Sequence, residues 1–597
     1  MTDKPQSAFH RAWNEPRRFI AWLTLLCALA FGVIALFVQG FGTPRTYQNP
    51  APPTAQMIAL LALIGFACGI VSFFLALIPP VRRLFAWLLQ RRFLILAGLG
   101  TLVGLFYALE NWRGHRAWSN FEHEWEAKGE RFDINSLIPP AVPDEDNFYA
   151  TKPWERFRFI STNGVRVWEN DKSHEEPVLD AYGSRGGPEG RASISTGIRT
   201  DLKAWQEYYR GTNNLFPSAD GKLTNYFPIS TTAQTPAKDV LLALSKYQDT
   251  LRQLHDAARR PHARFWINYE DSFGAWFPHL SRLKGCVQYL NLHAIASLSE
   301  GDSETAMNDL QLSFKLGDSI NSEPVLISYL VQVAMSRLRN VAIWEGLLDH
   351  RWSDAQLVKI GDALARENHL ARYQLGMRGE RAFCNDSFDQ MRRTRNPYLF
   401  GDEPSSDQTA ALLDATLGHS AFRLLPGGWF DQNKRSVSRM HVEFILPAVD
   451  VERMIASPRT TSRMDAECTK RAAAISPYNM FSYMLLPALG KAAQKAAEGQ
   501  CNVDLARIAI ALERHRLAHG NYPETLDALV PQFIAKLPHD VINGQPLKYR
   551  RNADASFILY SVGWNETDDS GAVVMTTGKT PSVDPKKGDW VWNSAAK

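Results

Sequence analysis

What this sequence lacks limits its function before anything present in it does. It lacks a charge excess: 66 Lys and Arg stand against 62 Asp and Glu, a net +4 over 597 residues. So small an imbalance gives neither the basic surface of a nucleic-acid binder nor a polyanionic tail, and no nucleic acid is expected as a partner. Cysteine is scarce, six in all, and no two have the C-x-x-C spacing of a zinc or redox site. Cys27 and Cys68 fall inside apolar stretches. The other four, Cys286, Cys384, Cys468 and Cys501, allow three complete disulfide pairings or none, and their spacing does not choose. H-E-x-x-H, G-x-S-x-G, the phosphate-binding G-x-x-x-x-G-K-[ST] and G-x-G-x-x-G are all missing. His123-Glu124 and His174-Glu175-Glu176 have no second histidine at ligand spacing. His515 and His519 lie one helical turn apart but have no acid or Cys in the pattern to complete a metal set. No catalytic and no cofactor-binding residue is expected.

What is present in quantity is apolar sequence near the N-terminus. Phe19–Gly42 and Met57–Pro80 each exceed the roughly 20 apolar residues that cross a bilayer as a helix, and Phe93–Leu109 meets the lower limit. No acid, base or His interrupts any of the three, which fits an anchor rather than a transport path. Phe19–Gly42 is too long for the apolar region of a cleaved signal peptide and runs on without a clear small-x-small cleavage site. Lys4, Arg11, Arg17 and Arg18 precede the first stretch, and Arg82, Arg83, Arg91 and Arg92 lie between the second and third. After the third, Arg113 and Arg116 soon meet Glu122, Glu124 and Glu126. Basic loops stay in the cytoplasm. The expectation is a three-helix, multi-pass anchor of the cytoplasmic membrane over residues 1–110, N-terminus inside, with the large C-terminal region extracytoplasmic.

Residues 111–237 read as a juxtamembrane helix over Asn111–Lys128, a proline-rich segment at Ile138–Pro153, and an irregular stretch with short β-like runs at Phe157–Ile160 and Val165–Trp168. Residues 238–456 read as a mainly α-helical soluble domain. Val240, Leu241, Leu244, Tyr247, Leu251 and Leu254 recur at helical spacing. Helices are expected at Leu283–Leu298, Ser303–Leu316, Pro324–Leu348, Ser353–Arg366, Ala371–Met391 and, shorter, near Phe444–Ile455. Ser353 with Gln356 makes a capping-box start. Ala296–Leu310, with Gly301-Asp302 at a turn between two helices that each carry a small residue, resembles the helix pair of a tetratricopeptide repeat, in one copy.

Residues 457–597 read as a small α+β module with a C-terminal tail. From Pro487, Leu489, Ala493, Ala497, Cys501, Leu505, Ile508 and Leu512 line one helical face. Gly520 stops that helix, Asn521-Tyr522-Pro523 turns the chain, and Glu524–Val530 forms a short helix. Leu547–Arg551 and Ser556–Val562 pair as a hairpin. The order, with Arg516-Leu517, Gly520, Tyr522-Pro523, Leu526, Leu529, Leu537-Pro538, Asp540, Gly544, Pro546, Tyr549, Tyr560, Ser561 and Gly563, resembles the globular domain of type II secretion major pseudopilins. The chain as a whole resembles bacterial envelope proteins that carry such a module. The resemblance covers Pro487 to about Gly571 and implies that fold. It also implies a calcium ion in the acidic loop Ser561–Gly571, held by Asn565, Asp568 and Asp569, since calcium takes about 6–8 oxygen ligands in loose geometry.

Two functions remain. One is a membrane-anchored envelope interaction or scaffold protein, whose partners are the lipid bilayer and other envelope proteins. The other is an extracytoplasmic hydrolase without a readable motif.

Overall fold

The computed structural model describes residues 91–597 apart from 163–164, 169–176, 184–185, 189–191, 218–221, 396–421, 473–475, 486–489, 555, 579–580 and 596–597. Two compact units divide the chain, Met1–Leu109 and Glu110–Lys597.

The expected three-helix membrane anchor is corrected. Among the described residues one helix, Phe93–Glu126, is long and apolar enough to cross a bilayer, and the remainder is mainly helical with a few small sheets. Phe19–Gly42 and Met57–Pro80 lie outside the described residues. The third apolar stretch does not close a helix at Leu109: helix α1 runs from Arg92 to Glu126. Physically, Glu110–Glu126 contains no proline, and its one glycine is not a break. A Cβ on Gly114 would overlap the Gly428 carbonyl, so that glycine lets a second backbone approach.

After α1 come α2 (Leu202–Arg210), α3 (Pro236–Leu244), α4 (Gln248–Ala257), α5 (Pro278–Ser299), α6 (Ser303–Asp318), α7 (Leu326–Leu348), α8 (Asp354–Ala365) and α9 (His369–Thr394). They are followed by α10 (Gly427–Met440), α11 (Pro458–Ala472) and α12 (Gly490–His519). Caps set several of the starts. Ser353 and Gln356 exchange both bonds of the capping box at α8, and Asp302 accepts from the Thr305 N–H at 3.0 Å to open α6. Between α5 and α6 the chain turns at Gly301, whose φ is 86°, and Ala296 and Ala306 are fully buried.

Where a helix was expected near Phe444–Ile455, a π turn at His441–Ile445 and a 3-10 turn at Leu446–Ala448 lead into two short paired strands, Val449–Asp450 and Ile455–Ala456. Pro447 cannot donate into a continuing helix. Over 524–530 the helical turn is 3-10 and spans Leu526–Leu529.

The expected hairpin pairs Lys548–Arg551 antiparallel with Phe557–Ser561. A strand not foreseen, Trp590–Asn593, adds to the other edge of the second, giving a three-stranded sheet with Phe557–Ser561 central. α12 packs between this sheet and helices α7, α8 and α9. It is buried all round, with Ala493, Ala497, Val503, Leu505, Ile508, Ile510 and Leu512 at 3% exposure or less. One core thus runs from Trp118 and Phe121 through α7 and α12 to Trp592, and the Trp344 indole N–H donates to the Asn593 carbonyl at 2.6 Å. A second core gathers α2 to α5 around Phe148, Tyr149, Trp154 and Leu283. Cys286, Cys384 and Cys501 are buried free thiols.

Candidate functional site

The loop after the central strand holds the residues that the sequence offered for calcium. Gly563 and Gly571 have positive φ, and a Cβ on Gly571 would collide with Ile558. Asp589, buried beneath the loop, accepts from the Gly571 N–H at 2.6 Å and the Asp569 N–H at 3.2 Å. Asn565 and Asp569 meet: the Asn565 amide donates to the Asp569 carboxylate at 2.8 Å. Asp568 faces elsewhere. It accepts from the Ser570 N–H at 3.0 Å and the Tyr560 hydroxyl at 3.1 Å, and it pairs with Lys548 at 3.2 Å. The Ser570 N–H first, and then the Lys548 ammonium, hold its carboxyl below the ordinary range. Among the described residues no group of three or more His, Cys, Asp or Glu side chains is placed to hold a metal ion. His515 and His519 stack at 4.3 Å, and each points Nδ1 at a backbone carbonyl.

A cleft of about 410 Å³ lies elsewhere, at the C-terminal end of α6. Three separate segments wall it: Pro139–Val142, Pro261–Arg264, and Lys315–Ser322. Arg260 ties the proline-rich wall down by donating to the carbonyls of Asn147 and Ala150, each at 2.8 Å. Asn147, itself buried, clamps the second wall, giving its amide to the Arg264 carbonyl at 2.8 Å and accepting the Arg264 N–H at 2.9 Å. Into the cleft come the charged side chains of Arg264, Lys315 and Asp318. Lys315 donates to the Arg260 carbonyl at 2.7 Å, and Asp318 accepts from Asn321 at 2.9 Å.

Behind the cleft a row of polar side chains continues into the core. Asn321 bonds Gln332, whose oxygen accepts from Arg372 at 3.2 Å. Burial lowers the Arg372 guanidinium to about 10, against the pull of Glu323. Deeper lies Arg339, fully enclosed, bonded to Glu367 and stacked over Phe314 at 3.9 Å. Burial pushes the Glu367 carboxyl up, but the Arg339 charge, His369 and the Ser336 hydroxyl together outweigh it and hold it low. Asp318 feels this row from outside: desolvation first, then Glu367, raise its carboxyl above the ordinary range.

His279 is bonded to Glu323 at 2.8 Å, His293 to Asp309 at 2.7 Å and His350 to Glu513 at 2.8 Å. Ser319, at the cleft wall, shares its hydroxyl with Tyr149 at 2.8 Å and is buried. Burial pushes the Cys286 thiol up to about 12, and Cys384 and Cys501 well above their usual value, so all three stay protonated. The sequence did not disclose the cleft, because its walls come from three distant segments. Its one visible trace was the prolines of Ile138–Pro153.

No family model matches the chain, and no curated protein and no solved structure matches it.

Proposed function

We propose that the chain is a membrane-anchored interaction or scaffold protein, holding a folded helical body against one face of the membrane for other envelope proteins to bind. The observation that carries this reading is the first half of α1. Phe93, Leu94, Leu96, Leu99, Leu102, Val103, Leu105, Phe106 and Leu109 are each 46–74% exposed. Successive residues of an α-helix are about 100° apart, so these side chains point in every direction rather than along one stripe. A helix apolar all round and left uncovered belongs in lipid. The second half of the same helix is amphipathic, burying Glu110, Gly114, Trp118 and Phe121 at one-turn intervals. The mixed-charge cleft supports recognition as the body's task. The helix, turn and hairpin order of residues 487–571 supports a pseudopilin-like character for the last part.

Orientation follows from the flanks of the helix. Arg82, Arg83, Arg91 and Arg92 precede the apolar stretch, while Glu122, Glu124 and Glu126 offset Arg113 and Arg116 beyond it. By the positive-inside bias the body is extracytoplasmic. An alkaline phosphatase fused after Lys597 is expected to be active, and a fluorescent protein at the same place dark. The opposite pair of results would reverse the orientation.

A further inference from the structure

Around Glu110, the residue that follows the exposed apolar stretch, three helices converge. The Gly428 N–H at the start of α10 donates to the Asn111 side chain at 2.8 Å, and the Trp429 indole donates to the Glu110 carboxylate at 2.9 Å. The end of α9 arrives at the same place. The Arg392 side chain lies against Gly427, and Arg395 donates to the Leu425 carbonyl at 2.6 Å. The segments that meet here carry six arginines: Arg113 and Arg116 on α1, Arg392, Arg393 and Arg395 at the end of α9, and Arg423 ahead of α10.

Two acids at that place pair with two of them. Glu110 and Asp431 are both buried, and each is taken by one arginine: Arg113 at 2.7 Å and Arg392 at 3.1 Å. Arg116, Arg393 and Arg423 are exposed and form no ion pair among the described residues. Interleaved with them are aromatic and apolar side chains open to the outside. Trp112 is 58% exposed, with Arg116 over its ring at 5.4 Å, and Leu424 is 68% exposed. Tyr478 lies under Arg113 at 5.6 Å.

We infer that this arginine and aromatic collar binds the headgroups of anionic phospholipids at the membrane surface. The inference rests on the anchor reading above and adds the partner of the collar. Three features point to lipid rather than to another protein. The collar begins within one helical turn of Leu109, where the apolar stretch ends. Its Trp and Tyr are the residue types that sit at headgroup depth, their rings in the apolar layer and their polar atoms in water. Its free cations are all arginines, whose planar fork of donors matches two phosphate oxygens at once, whereas a lysine presents a point charge. Residues 396–421, between α9 and Phe422, lie outside the described residues and are not needed by this geometry.

The full chain in zwitterionic detergent is to be melted with added phosphatidylglycerol, with phosphatidylcholine at the same mole fraction, and with inorganic phosphate. A ligand bound by the folded form alone raises Tm, so phosphatidylglycerol is expected to raise it by about 3 °C or more, and the other two to leave it unchanged. The triple variant R116Q/R393Q/R423Q should lose at least half of that rise while melting like the parent in phosphatidylcholine. Should the triple variant melt low in phosphatidylcholine, R393Q and R423Q singly replace it, each expected to reduce the rise. An equal rise with phosphatidylcholine, an equal rise with phosphate, no rise at all, or a rise kept in the variants would each overturn the collar. Alkaline carbonate washing of membranes separates the two readings. A chain that stays in the pellet yet ignores phosphatidylglycerol refutes the collar alone, and a chain that washes off refutes the anchor.

Discussion

Glu380, near the middle of α9, is a carboxyl with no hydrogen-bond or ion-pair partner among the described residues. Burial alone pushes it up to about 7, from an ordinary 4.5. Such a group binds more protons folded than unfolded, so its contribution to stability is complete below about pH 4.5 and is lost as pH rises through about 7. Glu380→Gln removes the titration and keeps the shape. In denaturant melts the variant should match the parent near pH 4.5 and exceed it at pH 8 by about 2 kcal/mol, the shift being discounted for the side chain's partial exposure. Equal stabilities at pH 8 would mean that the carboxylate finds solvent or a partner when charged. At the same scale, the loop residues show what a sequence can and cannot disclose. Asn565, Asp568 and Asp569 were legible as an acidic turn, since Asp, Asn and Gly favour turns for local reasons. The direction of Asp568 was not, because Lys548 and Tyr560, which claim it, stand on strands that only the fold brings beside the loop.

Among elements, legibility follows the range of the interaction that defines each one. The helices around Val240, the capping box at Ser353 and the stop at Gly520 rest on spacings of a few residues, and the structure has them there. Val583–Gly588 has Pro585 and two lysines and shows no alternation, and Trp590–Asn593 is only four residues long. These strands exist because partners distant in sequence supply their hydrogen bonds, so no local pattern announces them. For α12 the helix and one apolar face were legible, but not that Ala492, Ala496, Ala506 and Ala511 are buried as well. Their small side chains let α7, α8 and α9 close around it. A fragment of residues 487–597 leaves those sides in water, and it is expected to melt without a cooperative transition by circular dichroism. A sharp two-state melt of the isolated fragment would show that its contacts with α7, α8 and α9 are dispensable.

For the molecule as a whole, the decisive division falls inside a helix, at Leu109 and Glu110. Every large apolar side chain from Phe93 to Leu109 cited above is exposed, whereas from Glu110 onward the helix buries one stripe in the main core. Stable insertion into the bilayer should therefore reside in residues before 110, and folding in those after. A chain starting at Glu110 keeps Trp118 and Phe121, which pack with Phe132 at ring distances of 5.6 and 5.7 Å. It also keeps the Arg378 and Arg381 bonds to Glu130, at 2.9 and 2.7 Å, that fasten the end of α1 to α9. It loses the apolar segment Phe93–Leu109, whose large side chains cited above are exposed. This chain is expected to remain in the supernatant after ultracentrifugation of lysed cells and to melt cooperatively, with a Tm within a few degrees of that of the full chain in detergent. The collar's exposed arginines remain on it, but without the apolar stretch a charged surface alone holds lipid weakly and is screened by salt. Sedimentation with membranes that persists in 0.5 M salt, on the order of five times the ionic strength at which screening already acts within about 10 Å, would place a second lipid-binding surface on the body.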